Sequence, residues 1–471
     1  MSLEEDIYDI EDTEEIWNIA SSKKMMSYSF GFILTIYLST AFNTLMFYYY
    51  EVEIGLRVDL VVLAIVFYSI LTIIISPILG YLTDRPFKWS KKLGFRTPWI
   101  IASAIPMLIS YLCLYFPPDI NVKSNPYPIF WYLLILSTLF GISISFFMAH
   151  FEGSFANQFR GDYERSRASA FAFIFPGIIL FCLALLPSFI IVYGDKSTFA
   201  LTALISIIIL GICLLFLIPG IFESNEVKMR FMQGFEKNLS FSKMVKISFS
   251  QKNYRINLFA SMLTTIAIVL NTATGIYFFK DVLGLPLYFS IYSTIAYIVA
   301  LLVMVPYWFS FSRKHGTVKT FILGIFLVGL SYLPFLWMTT LEETVIYGIF
   351  RGIAGSSVLV MALPITSDCY DEVTLACERH QEAALRSIRT LFLRSSFIFQ
   401  ALIIGMVHIL TGYKADPKAI QTPLAVWGIR FLVGLIPALL YFFAGIMMFF
   451  WYDLKADKRL IMQQKLRDKG L

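Results

Sequence analysis

The sequence predicts an all-α integral membrane protein with twelve transmembrane helices, built as two six-helix bundles with pseudo-two-fold symmetry. The first observation is composition, because 58% of the 471 residues are hydrophobic and only 15% are charged. The second is that apolar residues form continuous runs of about 20, the length that crosses a hydrocarbon core. The third is an internal repeat at an offset of 229 residues. Continuous runs favour helices, since barrel strands alternate polar and apolar residues.

The apolar runs define twelve spans, and each is long enough for one transmembrane helix. In chain order they are 25–50, 58–83, 98–116, 129–156, 167–193, 198–222, 254–280, 287–311, 317–339, 342–367, 387–411 and 422–452.

A constant offset relates the first two spans to the seventh and eighth. It places Gly55 on Gly284 and Pro77 on Pro306. Such a repeat indicates a duplicated six-helix unit. The linker between the two copies contains the pattern of an amphipathic helix, which is expected to lie on the inner leaflet. The predicted segments are an acidic cytoplasmic N-terminus (1–24), an N-terminal bundle (25–222), a cytoplasmic linker (223–253), a C-terminal bundle (254–452) and a basic cytoplasmic tail (453–471).

Basic residues set the predicted orientation. Of the 38 Lys and Arg residues, 29 fall on segments that are cytoplasmic if the N-terminus is cytoplasmic. This bias predicts a multi-pass cell-membrane protein with both termini in the cytoplasm. The net charge of +6 is therefore attributed to topology, with no nucleic-acid partner. The acidic N-terminus is unlike a cleavable signal peptide. We expect a monomer in contact with membrane lipid.

Several short motifs occur in an order that resembles a known family. They are YYYEVEIGL (48–56), SPILGYLTDR (76–85), GFRTPW (94–99), ERSRASAF (164–171), YFFKDVLGLP (277–286), VPYWFSFSRKHG (305–316), SDCYDEV (367–373), RTLFLRSSFIFQALIIG (389–405) and WGIRFLVGLIPALL (427–440). Together they resemble the major facilitator superfamily, and within it the glycoside-pentoside-hexuronide:cation symporters, to which the lysolipid symporters are related. The resemblance implies a secondary transporter that moves a small solute, by default a sugar or glycoside, by alternating access.

The resemblance also implies a cation site, where this chain departs from the family pattern. The family has two Asp residues four apart on the second helix, and this chain has Thr72 and Ser76. The family's Asp residues on the fourth and first helices align near Met148 and Ile36, and an Arg early in the fifth helix becomes Ala172. We therefore expect weak or absent Na⁺ dependence, with coupling to H⁺ or Na⁺ left open.

Arg394 is the strongest candidate for a substrate-binding residue. It lies among apolar neighbours in the eleventh span, where the family usually has a Lys. Charged side chains inside a membrane are costly and therefore mark candidate functional sites. A guanidinium can bind a carboxylate or phosphate in a bidentate way. Arg394 is expected to anchor an anionic or hydroxyl-rich substrate or to replace a coupling ion; the alternative is a side chain that extends to the cytoplasmic interface.

Four other polar residues are candidates for substrate binding. Glu152 and His150 lie toward the cytoplasmic end of the fourth helix, where they can carry a proton or cap the helix end. Asn43 and Asn271 occupy nearly equivalent positions in the two repeats. Buried Asn residues can bind substrate hydroxyls or hold helices together, and both alternatives stay open.

The charged turns are predicted to form the inner gate, because charge pairs at helix ends break and reform during alternating access. The predicted gating residues are Asp84, Arg85, Arg96, Arg313, Asp368, Asp371 and Glu372. The last three follow the tenth span and are expected to pair with Arg386 and Arg389, which open the eleventh. Solvated turns are the alternative.

The remaining charges are given structural roles or left open. Arg430 fits the family's GIR pattern and is expected to be structural, whereas Arg351 is open between a cavity role and a structural one. The acidic residues near the predicted outer helix ends are expected to be solvated; they are Glu51, Glu53, Asp59, Glu342 and Glu343.

Three alternatives compete with a sugar transporter. A transporter of lysolipid-like amphiphiles would suit the apolar residues at family cavity positions, and a non-transporting sensor would suit the missing cation site. A membrane enzyme is not expected, because the Asp368-x-x-Asp371 pattern has no second acidic cluster. The five cysteines have no metal-ligand spacing, so neither a metal nor another cofactor is predicted.

Overall fold

The computed structural model describes residues 20–83, 94–159, 162–223, 241–378, 382–454 and 456–468, and within them every regular element is a helix. Ten helices of this described part are long and apolar enough to cross a membrane. Two shorter apolar helices, Thr97–Cys113 and Pro176–Ile190, lie at the third and fifth predicted spans. The twelve predicted spans are therefore represented in order, and the predicted all-α membrane fold is confirmed.

The first repeat contributes six helices. They are α1 (Ser22–Tyr48), α2 (Val58–Thr83), α3 (Thr97–Cys113), α4 (Tyr127–Gln158), α5 (Asp162–Ile190) and α6 (Lys196–Ile221).

The linker and the second repeat contribute the remaining helices of the described chain. They are α7 (Phe241–Ser250), α8 (Lys252–Tyr277), α9 (Ser290–His315), α10 (Thr317–Tyr332), α11 (Leu341–Cys377), α12 (Glu382–Arg394), α13 (Ser396–Thr411), α14 (Pro423–Arg430), α15 (Ile436–Trp451) and α16 (Ala456–Asp468). Helix α7 coincides with the predicted amphipathic segment, and its Met244 is buried in the core of the surrounding helices.

Contacts divide the described chain into two compact units. Unit 1 takes its residues from Met1–Phe42, Ile70–Ile191 and Asp195–Glu236, and unit 2 takes its residues from Asn43–Ser69, Val192–Gly194 and Lys237–Leu471. The end of α1 and the start of α2 thus pack with helices of the second repeat. The segment boundaries expected from the sequence stay a prediction.

Local capping explains where several helices begin. At the start of α6, the Asp195 carboxylate accepts a hydrogen bond from the Ser197 amide at 3.0 Å. At the start of α11, Thr340 and Glu343 form a reciprocal capping box. These side chains satisfy amide groups that have no partner inside the helix.

The sequence repeat extends to an uncommon backbone geometry. The segments Tyr49–Glu53 and Phe278–Val282 are both π-helical, and each follows a long transmembrane α-helix. Gly55 and Gly284 come next, with φ angles of 79° and 65°. Side chains disfavour this left-handed region, which explains glycine at both positions. Two aligned π-helical turns that end on aligned glycines show that the repeats share local structure.

Candidate functional site

A break in the eleventh span places Arg394 at the last position of α12, one residue before α13 begins. The Ser395 amide donates to the Phe392 carbonyl at 3.2 Å, and the Ser395 hydroxyl donates to the same oxygen at 2.6 Å. These three-residue hydrogen bonds interrupt the α-helical ladder inside the span Leu385–Thr411. A broken helix at membrane depth is tolerated where its backbone lines a cavity or packs against protein.

Arg394 is half-buried, and its charge lies within electrostatic range of the Tyr68 hydroxyl on α2. Its guanidinium is charged at any working pH and presents donors in a planar fork. A fixed cation near a phenol and a helix break suits an anion or a group of hydroxyls. Among the sequence candidates, Arg394 is the one whose surroundings combine these features.

None of the predicted cation positions carries a carboxylate, and the Ser76 hydroxyl bonds within its own helix. Thr72 is buried, and the Ser76 hydroxyl donates to the Thr72 carbonyl at 2.6 Å. On α4, Met148 is half-buried and offers only a thioether. The three positions therefore lack the negative charge that the family's carboxylates would supply.

His150 and Arg96, which the sequence assigns to a substrate site and a gate, lie close together in unit 1. The buried His150 ring packs against Phe146 at 4.7 Å and Trp99 at 6.1 Å between ring centroids. The Arg96 guanidinium lies over Gly153, where any side chain would overlap it, and its charge reaches His150.

Tyr28 on α1 brings Glu152 into the same region. Tyr28 lies within electrostatic range of both Arg96 and Glu152. Its hydroxyl donates to the backbone carbonyl of Phe151. The C-terminal end of α4 thus gathers an arginine, a histidine and a glutamate.

Glu223 is a structural residue of this region that the sequence interpretation missed. It is buried after α6, and its carboxylate accepts hydrogen bonds from the amides of Phe95 at 2.6 Å and Arg96 at 2.8 Å. It therefore caps the start of α3 from a distant helix and fixes the backbone of Arg96. Its sequence signal is a single acidic residue directly after an apolar span.

The two asparagines hold helices together in unit 2. The Asn43 amide donates to the Val269 carbonyl at 3.1 Å, and the Asn271 amide donates to the Val433 carbonyl at 3.0 Å. The Asn271 oxygen also accepts from Arg351 at 3.0 Å. Of the two alternatives, these bonds favour helix packing over substrate binding.

Arg351 and Arg430 both lie against aromatic residues, and Arg430 also bonds to backbone. The Arg351 guanidinium lies 5.1 Å from the Tyr297 ring and 5.8 Å from the Tyr332 ring. Arg430 donates to the Phe335 carbonyl at 3.1 Å. These contacts suit structural roles for the two arginines.

Asp368 and Glu372 of the predicted latch contact residues other than Arg386 and Arg389. Asp368 is 2% exposed, and its carboxylate lies 2.8 Å from the Arg459 guanidinium on α16. Glu372 accepts from the Asn253 amide at 2.7 Å. Asp371 is half-buried and lies within electrostatic range of Asp368.

The basic residues of the predicted gate are also placed in part. Arg389 donates to the Ser261 hydroxyl at 3.4 Å. Arg313 in the last turn of α9 stacks on Phe309, 4.7 Å from the ring centre. Asp84 and Arg85 lie outside the described residues.

Glu51 is not solvated, so the expectation for this residue is wrong. It is 1% exposed, and its carboxylate accepts hydrogen bonds from the Tyr277 hydroxyl at 2.6 Å and from His408 Nδ1 at 2.8 Å. The π-helical turn at the end of α1 directs this side chain between α8 and α13, which sequence periodicity does not reveal. Glu51 belongs to the first repeat, whereas both donors belong to the second.

A second acidic residue extends this group. Asp281 accepts from the Tyr413 hydroxyl at 2.8 Å and pairs with Lys280 at 2.8 Å, and both charged side chains are buried. Burial and the charge of Asp281 raise the pKa of Tyr413 well above its usual value, so its hydroxyl stays protonated and can donate. The Tyr413 ring stacks on His408 at 4.3 Å. We call Glu51, Tyr277, Lys280, Asp281, His408 and Tyr413 the Glu51 cluster.

The sequence carries a weak signal for this cluster. The aligned motifs YYYEVE and YFFKDV each place charged residues directly after aromatic residues at a helix end. Glu51 and Lys280 are aligned by the 229-residue offset. A charge conserved between repeats in position, but not in sign, indicates a shared buried site.

The comparisons with known proteins agree with the fold. A family model described as MFS/sugar transport protein matches residues 27–456. The structure is similar to the nucleoside transporter NupG, with a TM-score of 0.58, 13% identity, and coverage of 94% of this chain and 99% of that one. A single-residue variant of NupG gives the same TM-score at 14% identity, covering 90% and 99% of the two chains. No curated protein matches the sequence.

Proposed function

Because the chain belongs to the MFS/sugar transport protein family, whose members are secondary transporters of small solutes, we propose that it carries a hydroxyl-rich solute such as a sugar or glycoside, with Arg394 as the substrate anchor. The observation that carries this proposal is the fixed charge of Arg394 beside the helix break in the eleventh span. Binding sites of membrane transporters are commonly formed at interrupted helices.

Transport through this site does not use the family's usual acidic cation site. Thr72, Ser76 and Met148 bring no carboxylate to the aligned positions. The Ser76 hydroxyl is already bonded to the Thr72 carbonyl. We therefore expect a Na⁺ gradient to change uptake less than twofold, on the order of experimental scatter.

The test is uptake by proteoliposomes of a panel of radiolabelled sugars, glycosides and lysolipids, each with and without a Na⁺ gradient. We expect saturable uptake of a sugar or glycoside. Arg394→Ala should lower uptake at subsaturating solute by roughly 10–100-fold, because a charge-assisted hydrogen bond to substrate is lost. Arg394→Lys should keep part of the activity.

Arg57→Ala is the matched control, since Arg57 pairs with Asp59 on an exposed surface and its loss should leave uptake unchanged. Full uptake by Arg394→Ala would refute the anchor role. Uptake restricted to lysolipids would favour the amphiphile transporter, and no flux of any solute by the wild-type protein would favour the sensor.

A further inference from the structure

In the Glu51 cluster, one ring nitrogen of His408 has a hydrogen-bond partner, and the other has none among the described residues. Its Nδ1 lies 2.8 Å from a Glu51 carboxylate oxygen, so Nδ1 carries hydrogen and donates. In a neutral ring, Nε2 is then a bare acceptor. This nitrogen is buried and has no hydrogen-bond partner among the described residues. A proton bound at Nε2 would make the ring a cation beside the Glu51 carboxylate.

The charges around His408 are predominantly negative. The cluster and its surroundings hold the carboxylates of Glu51, Glu53 and Asp281 against the ammonium of Lys280. Arg430, on the neighbouring helix α14, is bonded to the Phe335 carbonyl. One proton on His408 would balance the charge of Glu51, which is otherwise buried beside neutral donors.

Titratable or charged groups lie on every described element that packs around the pair. They include Tyr48, Glu51 and Glu53 from the first helix and its π-helical turn, Arg57 and Asp59 at the start of α2, which packs on α13 at Gly405, Tyr193 from the α5–α6 connection, Tyr277 from α8, Lys280 and Asp281 from the π-helical turn after α8, Tyr413 after α13, and Arg430 on α14. Among these, the Glu51 carboxylate contacts His408 directly, and Asp281 and Lys280 are joined to the cluster through Tyr413.

The pair also lies where residues of the two sequence repeats meet within unit 2. Three residues before His408, Gly405 approaches Val62 of α2 so closely that a side chain at 405 would overlap it. Because Glu51 comes from the first repeat and both donors come from the second, a movement that parts the repeats here would separate Glu51 from His408 and Tyr277. Breaking these bonds would leave a carboxylate and an imidazole to exchange protons with water.

We propose that Glu51 and His408 form a proton-binding latch, in which the imidazole takes up one proton when the contact between the repeats closes. The N–H bond forms at Nε2 with a proton from hydronium ions of the aqueous medium, whose O–H bond breaks, and the proton returns to water when the contact opens. This inference rests on the proposed transport function, because it couples solute movement to the proton gradient. The Glu51–His408 pair supplies a proton-binding site, which positions 72 and 76 do not provide.

The first test reads the proton directly and requires no transport. Histidine-selective ¹⁵N NMR of the full chain in nanodiscs resolves four rings, and variants of the other three histidines assign His408. We expect the His408 ring signals to report proton binding that depends on Glu51. Glu51→Gln should weaken proton binding at His408, since a negative charge at hydrogen-bond distance is removed. Asp59→Asn, in the exposed pair with Arg57, should leave proton binding unchanged.

The second test uses proteoliposomes and the transported solute. In the wild-type protein, an acidic outer medium should raise accumulation by about tenfold per pH unit for one coupled proton. In Glu51→Gln and His408→Gln, the acidic medium should leave accumulation unchanged, at about onefold. In Asp59→Asn, it should raise accumulation as in the wild-type protein. If both cluster variants misfold, Tyr277→Phe is the substitute, because it removes one donor and no charge; it should lower the stimulation.

The outcomes separate this proposal from the proposed function. A His408 ring that does not titrate, or that titrates independently of Glu51, overturns the latch even if solute is transported. Equal gradient stimulation in wild-type and cluster variants also overturns it. A wild-type protein that moves no solute refutes the transport function, while the NMR titration still decides whether the site binds a proton.

Discussion

At the scale of single residues, the size of one side chain determines how closely two helix backbones can pack. Gly220 on α6 lies against α1, and a β-carbon there would overlap the Tyr28 amide nitrogen and lie 2.7 Å from the Ser27 carbonyl carbon. The obstacle is backbone rather than a movable side chain, so the helices would have to separate. Small residues at such crossings are typical of helix packing in membranes, where close contact replaces the hydrophobic effect.

Gly220→Ala should therefore lower the stability of unit 1. We expect a loss of about 1–3 kcal/mol, the usual cost of inserting a methyl group into a packed contact. Thermal unfolding of the purified protein in detergent, followed by tryptophan fluorescence, measures it.

Gly211→Ala on the same helix is the matched control. Nothing lies within 4 Å of the added β-carbon, so the substitution should be neutral or slightly stabilising. Equal melting temperatures for the two variants would contradict the close-approach interpretation.

Two buried carboxylates show that the partner of a charged side chain cannot be assigned from the separation of residues along the chain. Asp368 was expected to pair with an arginine of the eleventh span, yet its carboxylate contacts Arg459 from the end of the chain. Glu51 was expected to be solvated, yet it is buried against Tyr277 and His408. Packing between distant segments, and not position along the chain, selected both sets of partners.

At the scale of elements, the π-helical turns Tyr49–Glu53 and Phe278–Val282 are structural equivalents, and a third one, Phe431–Leu435, lies between α14 and α15. Each of the first two widens the last turn of a long helix, and each of these is followed by a glycine in the left-handed region. π-Helical turns often occur at functional sites. In the first repeat this turn carries Glu51, and in the second it carries Lys280 and Asp281, so the same device directs charged side chains into the Glu51 cluster.

Gly55→Ala and Gly284→Ala should each destabilise the protein by about 1 kcal/mol, because alanine pays for the left-handed conformation. The φ angles at these positions are 79° and 65°. Chemical unfolding in mixed micelles measures the change.

Gly275→Ala serves as the comparison, since Gly275 is helical and its added β-carbon meets nothing within 4 Å. There alanine should stabilise by roughly 0.5–1 kcal/mol. If all three substitutions changed the free energy of unfolding in the same direction, the φ angle would not govern the effect.

At the scale of the whole molecule, both ends of the second repeat are tied into one core. Met244 of α7 and Met462 and Leu466 of α16 belong to the same buried hydrophobic cluster in unit 2. The Arg459–Asp368 pair fixes α16 to α11 at the same place. The C-terminal segment is therefore a structural part of unit 2 and not only a charged tail.

Arg459→Ala should detach this helix and leave the Asp368 carboxylate buried without its cation. We expect a loss of roughly 1–3 kcal/mol, less than for a fully buried pair because Arg459 is partly exposed. Limited proteolysis at the C-terminus should become faster, together with a lower melting temperature.

Lys458→Ala is the matched neighbour, since its ammonium lies 3.8 Å from Asp453 and both side chains are well exposed. That variant should differ little from the wild-type protein. Equal proteolysis rates for the two variants would argue against the buried pair as the attachment point.

The features that the sequence predicts are those that depend on interactions between residues close together in the chain. The twelve spans, the repeat and the amphipathic helix α7 depend on hydrophobic pattern along the chain, and the structure shows helices at these places. The role of Glu223 as a cap on the amides before α3 depends on two segments more than a hundred residues apart. Such a contact leaves no periodic signal.

The sequence by itself determined that this protein is a helical membrane protein with a duplicated plan, because a hydrocarbon core requires long apolar helices and each helix satisfies its own backbone. It also determined that positions 72 and 76 lack carboxylates. Only the tertiary structure decided that Glu51 is buried with His408, that Arg394 stands at a helix break, and that Asp368 faces Arg459. Those outcomes depend on side chains from distant helices filling the same space, and hydrophobic pattern does not encode which of them meet.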